Sequence, residues 1–304
     1  TYTLWDAGWV NFNWRGYTYD HVQRVRRLAL TLARRVGADP TVVHLAALLH
    51  DVTKPYDGEY VLDADGRRVV DADGLWRCET RPPARRNAVT ELYDRLGLAG
   101  TLHNESGAVI ARHLLEGRGV DGSIAERVAR TIIHHLRPPD DAPVESRCLY
   151  DADTIDANIG LPAFVRNIYI HLHYRDVRLA PGDVPTDEML RDNPLDYLGP
   201  YIRERLPAWS LGKRNDFVPR LLCPTSVEIA DARLRRLDWV WARLARELDD
   251  PDGMGERGCL AAVLYIMRHR EDPSIDAVAA YLRDVWVRRA DATPAAAALL
   301  EMLD

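Results

Sequence analysis

An all-α fold is what this sequence predicts: a bundle of amphipathic helices, interrupted by one small β-hairpin and followed by a helical C-terminal extension. Three observations carry the expectation. Apolar residues recur at three- and four-residue spacing through most of the 304 residues. Short β-type runs never alternate with helices as a parallel sheet requires. No glycine-rich loop joins a strand to a helix, so a nucleotide-binding α/β fold is not indicated.

The first helix is predicted over residues 20–36, where Val22, Val25, Ala29, Leu32 and Val36 recur at helical spacing, with Asp20 as N-cap and Gly37 as stop. His21 shares the face of Val25, Leu28 and Leu32 and should point inward. Residues 41–52 read as a second, buried helix, started by Pro40 and Thr41 and stopped by Pro55. Residues 56–84 break the helical pattern. Tyr60, Val61, Leu62, Val69 and Val70 flank a glycine-containing turn, and the tetrapeptide Asp-Ala-Asp-Gly occurs at 63–66 and again at 71–74, which fits a small inserted hairpin or ribbon. The tetrapeptides lack the spacing and distal Glu of a calcium loop, so metal binding is not expected there. Helical patterns resume at 85–96, 102–116, 123–136, 145–159 and 162–177. A Pro- and Asp-rich seam follows at 181–200, and further helices are predicted over 226–248, 257–269, 274–290 and 295–303.

A chain of this length buries a core without covalent staples, and its four cysteines (Cys78, Cys148, Cys223, Cys259) lie far apart with no metal-type spacing. The first residues carry Trp5, Trp9 and Trp14 among polar neighbours, with neither the basic start nor the apolar stretch of a secretory signal, and no segment is apolar for long enough to span a bilayer. A cytoplasmic location is the expectation. The formal net charge of -6 argues against a surface built to grip long nucleic acid. The arginine clusters Arg24, Arg26, Arg27 and Arg233, Arg235, Arg236 are expected to be solvated helix faces. Lys54 and Lys213 are the only lysines, which singles out Lys54, three residues beyond an adjacent His50-Asp51 pair.

That pair ends the apolar run of the second helix, where burying an imidazole beside a carboxylate is costly unless a partner holds both. A metal ion is the natural candidate. The pair does not stand alone. His21, His50-Asp51, His103, His134-His135 and the cluster Asp151, Asp153, Asp156 fall on five successive predicted helices, each beside an apolar stripe, so a bundle that buries the stripes gathers all five. Imidazole mixed with carboxylate suits Mn²⁺, Fe²⁺, Co²⁺, Ni²⁺ or Zn²⁺ better than an all-oxygen metal such as Ca²⁺. Of the other histidines, His44 reads as a core or capping residue, and His113 and His269, each beside arginine, are not expected to be ligands.

The order His, His-Asp, His, His-His, Asp resembles the HD-domain superfamily of metal-dependent phosphohydrolases. The likeness is carried by YDHVQRV, LLHDVTK, LHNESGA, TIIHHL and LYDADTIDA, and it covers roughly residues 15–180. It implies an HD-type catalytic domain over 15–180, with the hairpin inserted at about 56–84, and a C-terminal helical region over 198–304. It also implies that His21, His50, Asp51 and Asp153 hold one metal and that His103 with His134, His135 or both holds a second, Asp51 bridging. One or two divalent transition metals are expected, a di-iron pair among the forms. The three-residue step from Ile132 favours His135 as the principal ligand of the pair; adjacent histidines project about 100° apart on a helix, so both bind one ion only near a helix end. Asp51 and Lys54 are then the catalytic residues, Lys54 supplying positive charge to a phosphate oxygen. Arg166, His171 and Arg175 are candidates for substrate binding, and His173 is ambiguous.

The function implied is hydrolysis of a nucleotide or another small phosphorylated metabolite. Two alternatives share the fold: a di-iron oxygenase, and a non-catalytic sensor or scaffold. The C-terminal helices either pack as a core or form a homodimer interface through Trp239 and Trp241, and the sequence leaves both open.

Overall fold

In the computed structural model the first helix, α1 (Tyr17–Val36), begins before the expected cap, which places Asp20 in its first turn, where its charge complements the helix dipole. Gly37 ends it in the left-handed conformation (φ 74), the Ala38 N–H returning to the Ala33 carbonyl. The structure describes residues 4–5, 17–72, 74–160, 162–164, 199–250 and 260. The chain divides into two compact units, Thr1–Asp153 and Thr154–Asp304. The expected helices over 162–177, 257–269, 274–290 and 295–303, and the seam over 181–200, lie wholly or largely outside the described residues.

Helix α2 (Pro40–Leu49) is capped by Asp39, whose carboxylate accepts from the Thr41 and Val42 amides. It stops short of the expected residue 52. Past Leu49 the chain tightens into successive three-residue turns, with Val52 N–H bonding Leu49, Lys54 N–H bonding Asp51 and Tyr56 N–H bonding Thr53. Pro55 has no N–H to continue a helical ladder. The His-Asp pair is thereby set at a helix end.

The insertion follows directly. Strand β1 (Asp57–Tyr60) pairs antiparallel with β2 (Cys78–Thr80), with a register irregularity between Asp57 and Tyr60. Between them the chain folds into a ribbon through the bridges Leu62↔Arg68 and Val70↔Trp76. The duplicated tetrapeptides are its two turns. Asp63 and Asp71 each accept backbone amides with the side chain, from Asp65 and Arg67 in one case and Leu75 in the other, while Gly66 (φ 73) and Gly74 (φ 75) supply the left-handed residue. The repeat is thus turn chemistry.

Helices α3 (Ala88–Arg95), α4 (His103–Glu116), α5 (Gly122–Ile133) and α6 (Val144–Asn158) complete the site's surroundings. Asn87 and Thr90 form a reciprocal capping box on α3. Helix α4 packs on α5, α1 on α2, and α2 on both α4 and α5. The core of the α1–α5 unit includes Val25, Ala29, Leu32, Ala46, Ile110 and Ile132, and beside the insertion Tyr56 stacks on Tyr93 (ring centroids 3.6 Å apart) with Trp5 edge-on to Tyr56. The first arginine cluster is not uniformly solvated. Arg27 is exposed, but Arg24 is only 8% exposed, because it follows His21 by three residues and shares the inward side of α1.

In the second unit, a short π-helical turn (Tyr201–Arg205) leads into α7 (Leu206–Asp216), which packs on the long α8 (Pro224–Asp249). Trp241 is buried edge-on against Phe164, whereas Trp239 is exposed. No described helix is long and apolar enough to cross a membrane.

Candidate metal centre

Five elements of the first unit each deliver one donor group to the same point. His21 comes from the inward face of α1, and His50-Asp51 from the turn that closes α2. His103 is the first residue of α4, His135 lies just past the end of α5, and Asp153 belongs to α6. Ligand atoms of His21, His50 and Asp51 lie within 4.8 Å of one another, and so do those of Asp51, His103 and His135. Asp51 belongs to both groups through different oxygens. Its Oδ2 is 3.7 Å from Nε2 of both His21 and His50, and its Oδ1 is 3.6 Å from His103 Nε2 and 3.8 Å from His135 Nε2. Asp153 closes the first group, 3.0 Å from His21 Nε2 and 3.8 Å from His50 Nε2.

The ring nitrogens have defined roles. His50 Nδ1 lies 2.8 Å from the Ala47 carbonyl and His135 Nδ1 2.6 Å from the Ile132 carbonyl. A carbonyl only accepts, so each Nδ1 carries the proton and each Nε2 presents a lone pair inward. His50 is fully buried, and its Nε2 has no hydrogen-bond partner in the structure. The Nε2 atoms of His103 and His135 face each other at 3.3 Å. An unpartnered buried imidazole nitrogen and two converging ones are costly unless an electron-pair acceptor sits among them. The donor set fits one or two divalent ions.

Electrostatics agree. Burial alone would raise the Asp51 carboxyl, but His50, His103, Lys54 and His21 outweigh it and hold the group far below the usual carboxylate range. Asp153 is lowered in the same way, burial opposing and the bond to His21 prevailing. The His135 imidazole is pushed down to about 3, first by burial and then by His50 and His103, so it is neutral near pH 7, the form that binds metal.

Lys54 stands at the rim. Its Nζ is 3.3 Å from both ring nitrogens of His103 and 3.4 Å from Asp57 Oδ2. Asp57 is the residue that sequence reasoning missed. Its Oδ2 lies 2.5 Å from His103 Nδ1, so the carboxylate orients the imidazole and leaves Nε2 free to face the cluster. The available signal was slight: Asp57 follows Lys54 by three residues, in a segment that read only as the start of a hairpin. Thr53 and Ser106 add a second support, Thr53 Oγ donating to the His103 carbonyl and lying 2.9 Å from Ser106 Oγ.

Not every expected residue joins the cluster. Of the adjacent pair only His135 lies in a donor group: α5 ends at Ile133, and in the turn beyond it His134 places its Nδ1 3.0 Å from Ser146 Oγ. Asp151 and Asp156 are buried outside both donor groups. His113 is exposed on α4, as expected. Arg166, His171, His173, Arg175 and His269 lie outside the described residues.

A helical unit whose elements converge on paired three-residue donor groups sharing one carboxylate defines the class: a protein with a buried histidine–aspartate cluster that could hold metal. Residues 18–158 match the model of the family described as the HD domain, and that segment holds every donor residue of the cluster. The chain is also similar to a solved structure, a predicted HD superfamily hydrolase from an uncultured Thermotogales bacterium. The two are 24% identical over 62% of this chain and 79% of that one, with a TM-score of 0.33. None of the curated proteins matches the chain.

Proposed function

We propose that the HD domain of this chain is a phosphohydrolase that acts on a nucleotide or another small phosphorylated metabolite. The observation that carries the reading is Asp51 shared between two donor groups, with an ammonium at their edge. Mn²⁺, Fe²⁺, Co²⁺, Ni²⁺ or Zn²⁺ suits the mixed donors, held by His21, His50, Asp51 and Asp153 on one side and by Asp51, His103 and His135 on the other. An ion there supplies Lewis acidity for a phosphoryl oxygen and lowers the pKa of water towards neutral.

The chain's own residues do the rest. Burial would lower the Lys54 ammonium, but Asp57, Asp51 and Asp153 outweigh it and hold it above its ordinary value, so it stays charged at neutral pH. A charged donor beside His103 can bind a phosphate oxygen and stabilise charge that redistributes towards it in the transition state. Asp57 positions both groups, and the buried walls around His50 and His135 limit competing water. The net charge of -6 favours a small anionic substrate over a long polyanion.

The test is phosphate release from nucleotides and sugar phosphates with each of the five metals, alongside bound-metal analysis. Asp51→Ala should lose most bound metal and activity, whereas His113→Ala, at an exposed site, should lose neither. Full metal content and turnover in the Asp51 variant would sink the assignment. Oxygen uptake with Fe²⁺ in place of phosphate release would replace hydrolysis with oxygenase chemistry.

A further inference from the structure

The inserted ribbon does more than connect α2 to α3. A cavity of about 280 Å³ lies against the centre, lined by Lys54, Asp57 and His103 and, from the ribbon and α5 side, by Tyr60, Leu75, Trp76 and Leu136 among others. That volume sits near the lower bound of about 300 Å³ for small-molecule sites. Its lining is mixed: an ammonium, a carboxylate and the edge of the histidine–aspartate cluster are combined with hydrocarbon and aromatic ring. The Cys78 thiol, also on the wall, is pushed up to about 11, chiefly by burial, so it adds no charge there at neutral pH.

The aromatic part of the wall is held in place. Tyr60 and Trp76 meet edge to face, ring centroids 5.2 Å apart, and the Arg68 guanidinium carbon lies 4.2 Å from the Tyr60 ring centroid and 4.4 Å from that of Trp76. Both rings and the arginine belong to the ribbon, pinned in register by the Leu62↔Arg68 and Val70↔Trp76 bridges. Trp76 is 49% exposed despite these contacts. A half-exposed indole braced by ring and guanidinium contacts beside a charged centre is suited to receiving a ligand ring.

We propose that the ribbon is the specificity element of the site, and that Leu75 and Trp76 receive the non-phosphoryl part of an organic phosphate that presents a planar, apolar ring. This rests on the phosphohydrolase reading and narrows it. Lys54 takes the phosphoryl end, which points the rest of the molecule at the ribbon. Polyol hydroxyls placed against Leu75, Trp76 and Leu136 would lose water without gaining partners, whereas a flat ring gains burial and stacking. Sugar phosphates are therefore poor substrates, and aryl or base-bearing phosphates good ones.

Two hydrolytically inert probes with the same head group test this: phenylphosphonate and methylphosphonate, titrated calorimetrically into the Mn²⁺-loaded full chain, with phosphate release from phenyl and methyl phosphate measured in parallel. Wild type should bind the phenyl probe on the order of tenfold more tightly, the size of one aromatic stacking contact. Trp76→Ala should bring the ratio close to one, whereas Trp76→Phe should keep most of it. Arg67→Ala, exposed at the first turn of the same ribbon and away from the cavity lining, should leave the ratio unchanged. Equal binding of the two probes by wild type, or an undiminished ratio in folded Trp76→Ala, would overturn the ribbon proposal while leaving hydrolysis intact. A Trp76-dependent preference with no phosphate released from either ester would overturn hydrolysis alone, and failure of both probes to bind would overturn both.

Discussion

Asp51 is placed so that each carboxylate oxygen faces a different pair of imidazoles, and no substitution preserves that geometry with the same charge. Around it the residues differ in what their loss should do. His135 turns its Nε2 to the cluster, and His134, one residue earlier, bonds Ser146 instead. His135→Ala should therefore lose metal of the second donor group. His134→Ala should keep the metal and cost only about 1 kcal/mol, the ordinary worth of one hydrogen bond. Metal analysis and thermal melting of the two variants separate these outcomes. Asp57 acts through His103. Asp57→Asn keeps the side-chain shape but removes the charge that orients the imidazole, and metal affinity should fall about 10- to 100-fold. Equilibrium titration of the apo protein measures it, and unchanged affinity would show that Asp57 only partners Lys54. None of these distinctions follows from residue type: His134 and His135 are the same residue, and Asp57 reads as a strand-edge carboxylate.

Among the elements, α2 matters most because its last turn carries His50 and Asp51. Its start is held by Asp39, which caps the helix and meets Arg127 at 2.9 Å, while Arg127 also meets Glu145 of α6 at 2.8 Å. Burial opposes the charge of Asp39, but the Thr41 and Val42 amides and Arg127 prevail and lower its pKa. A depressed folded-state pKa contributes stability that is fully present above the ordinary value of 3.8 and is lost as pH falls through the folded value. Asp39→Ala should cost about 1 kcal/mol at neutral pH. The gap in melting temperature between wild type and variant should narrow as pH drops below 3.8, because both then lack the carboxylate. The α2–α4 contact makes a second test. A Cβ on Gly107 would stand 3.1 Å from the His50 carbonyl and 3.3 Å from Thr53 Oγ1. Gly107→Ala gains about 1 kcal/mol of helix propensity, which offsets part of the crowding. The carbonyl that must yield belongs to a donor residue, so metal affinity should fall more clearly than melting temperature.

At the scale of the whole molecule, the centre draws donors from α1, α2, α4, α5 and α6, and ion binding should be linked to folding of the first unit. An ion that binds only the folded state stabilises it by about 2.7 kcal/mol at 100 times its Kd. Chelation should therefore lower the melting temperature and speed amide exchange at the ends of α2, α4 and α5, while α8 keeps its protection. Exchange that rises equally in α8 would show that the ion's effect is not confined to the first unit. The sequence by itself determined the helical periods, the inserted ribbon and the order of donor types, because each is a property of residues close in the chain: apolar spacing for helices, Asp and Gly for turns, His-Asp at a helix end. It also marked Lys54. Only the tertiary structure decided which oxygen of Asp51 faces which imidazoles, that His134 turns to Ser146 instead of the cluster, that Asp57 orients His103, and that the ribbon walls a cavity beside Lys54. Those outcomes depend on where each helix stops and on the direction its last turn takes when packed against four others. That direction is set by contacts between residues far apart in the chain, which spacing within one segment does not encode.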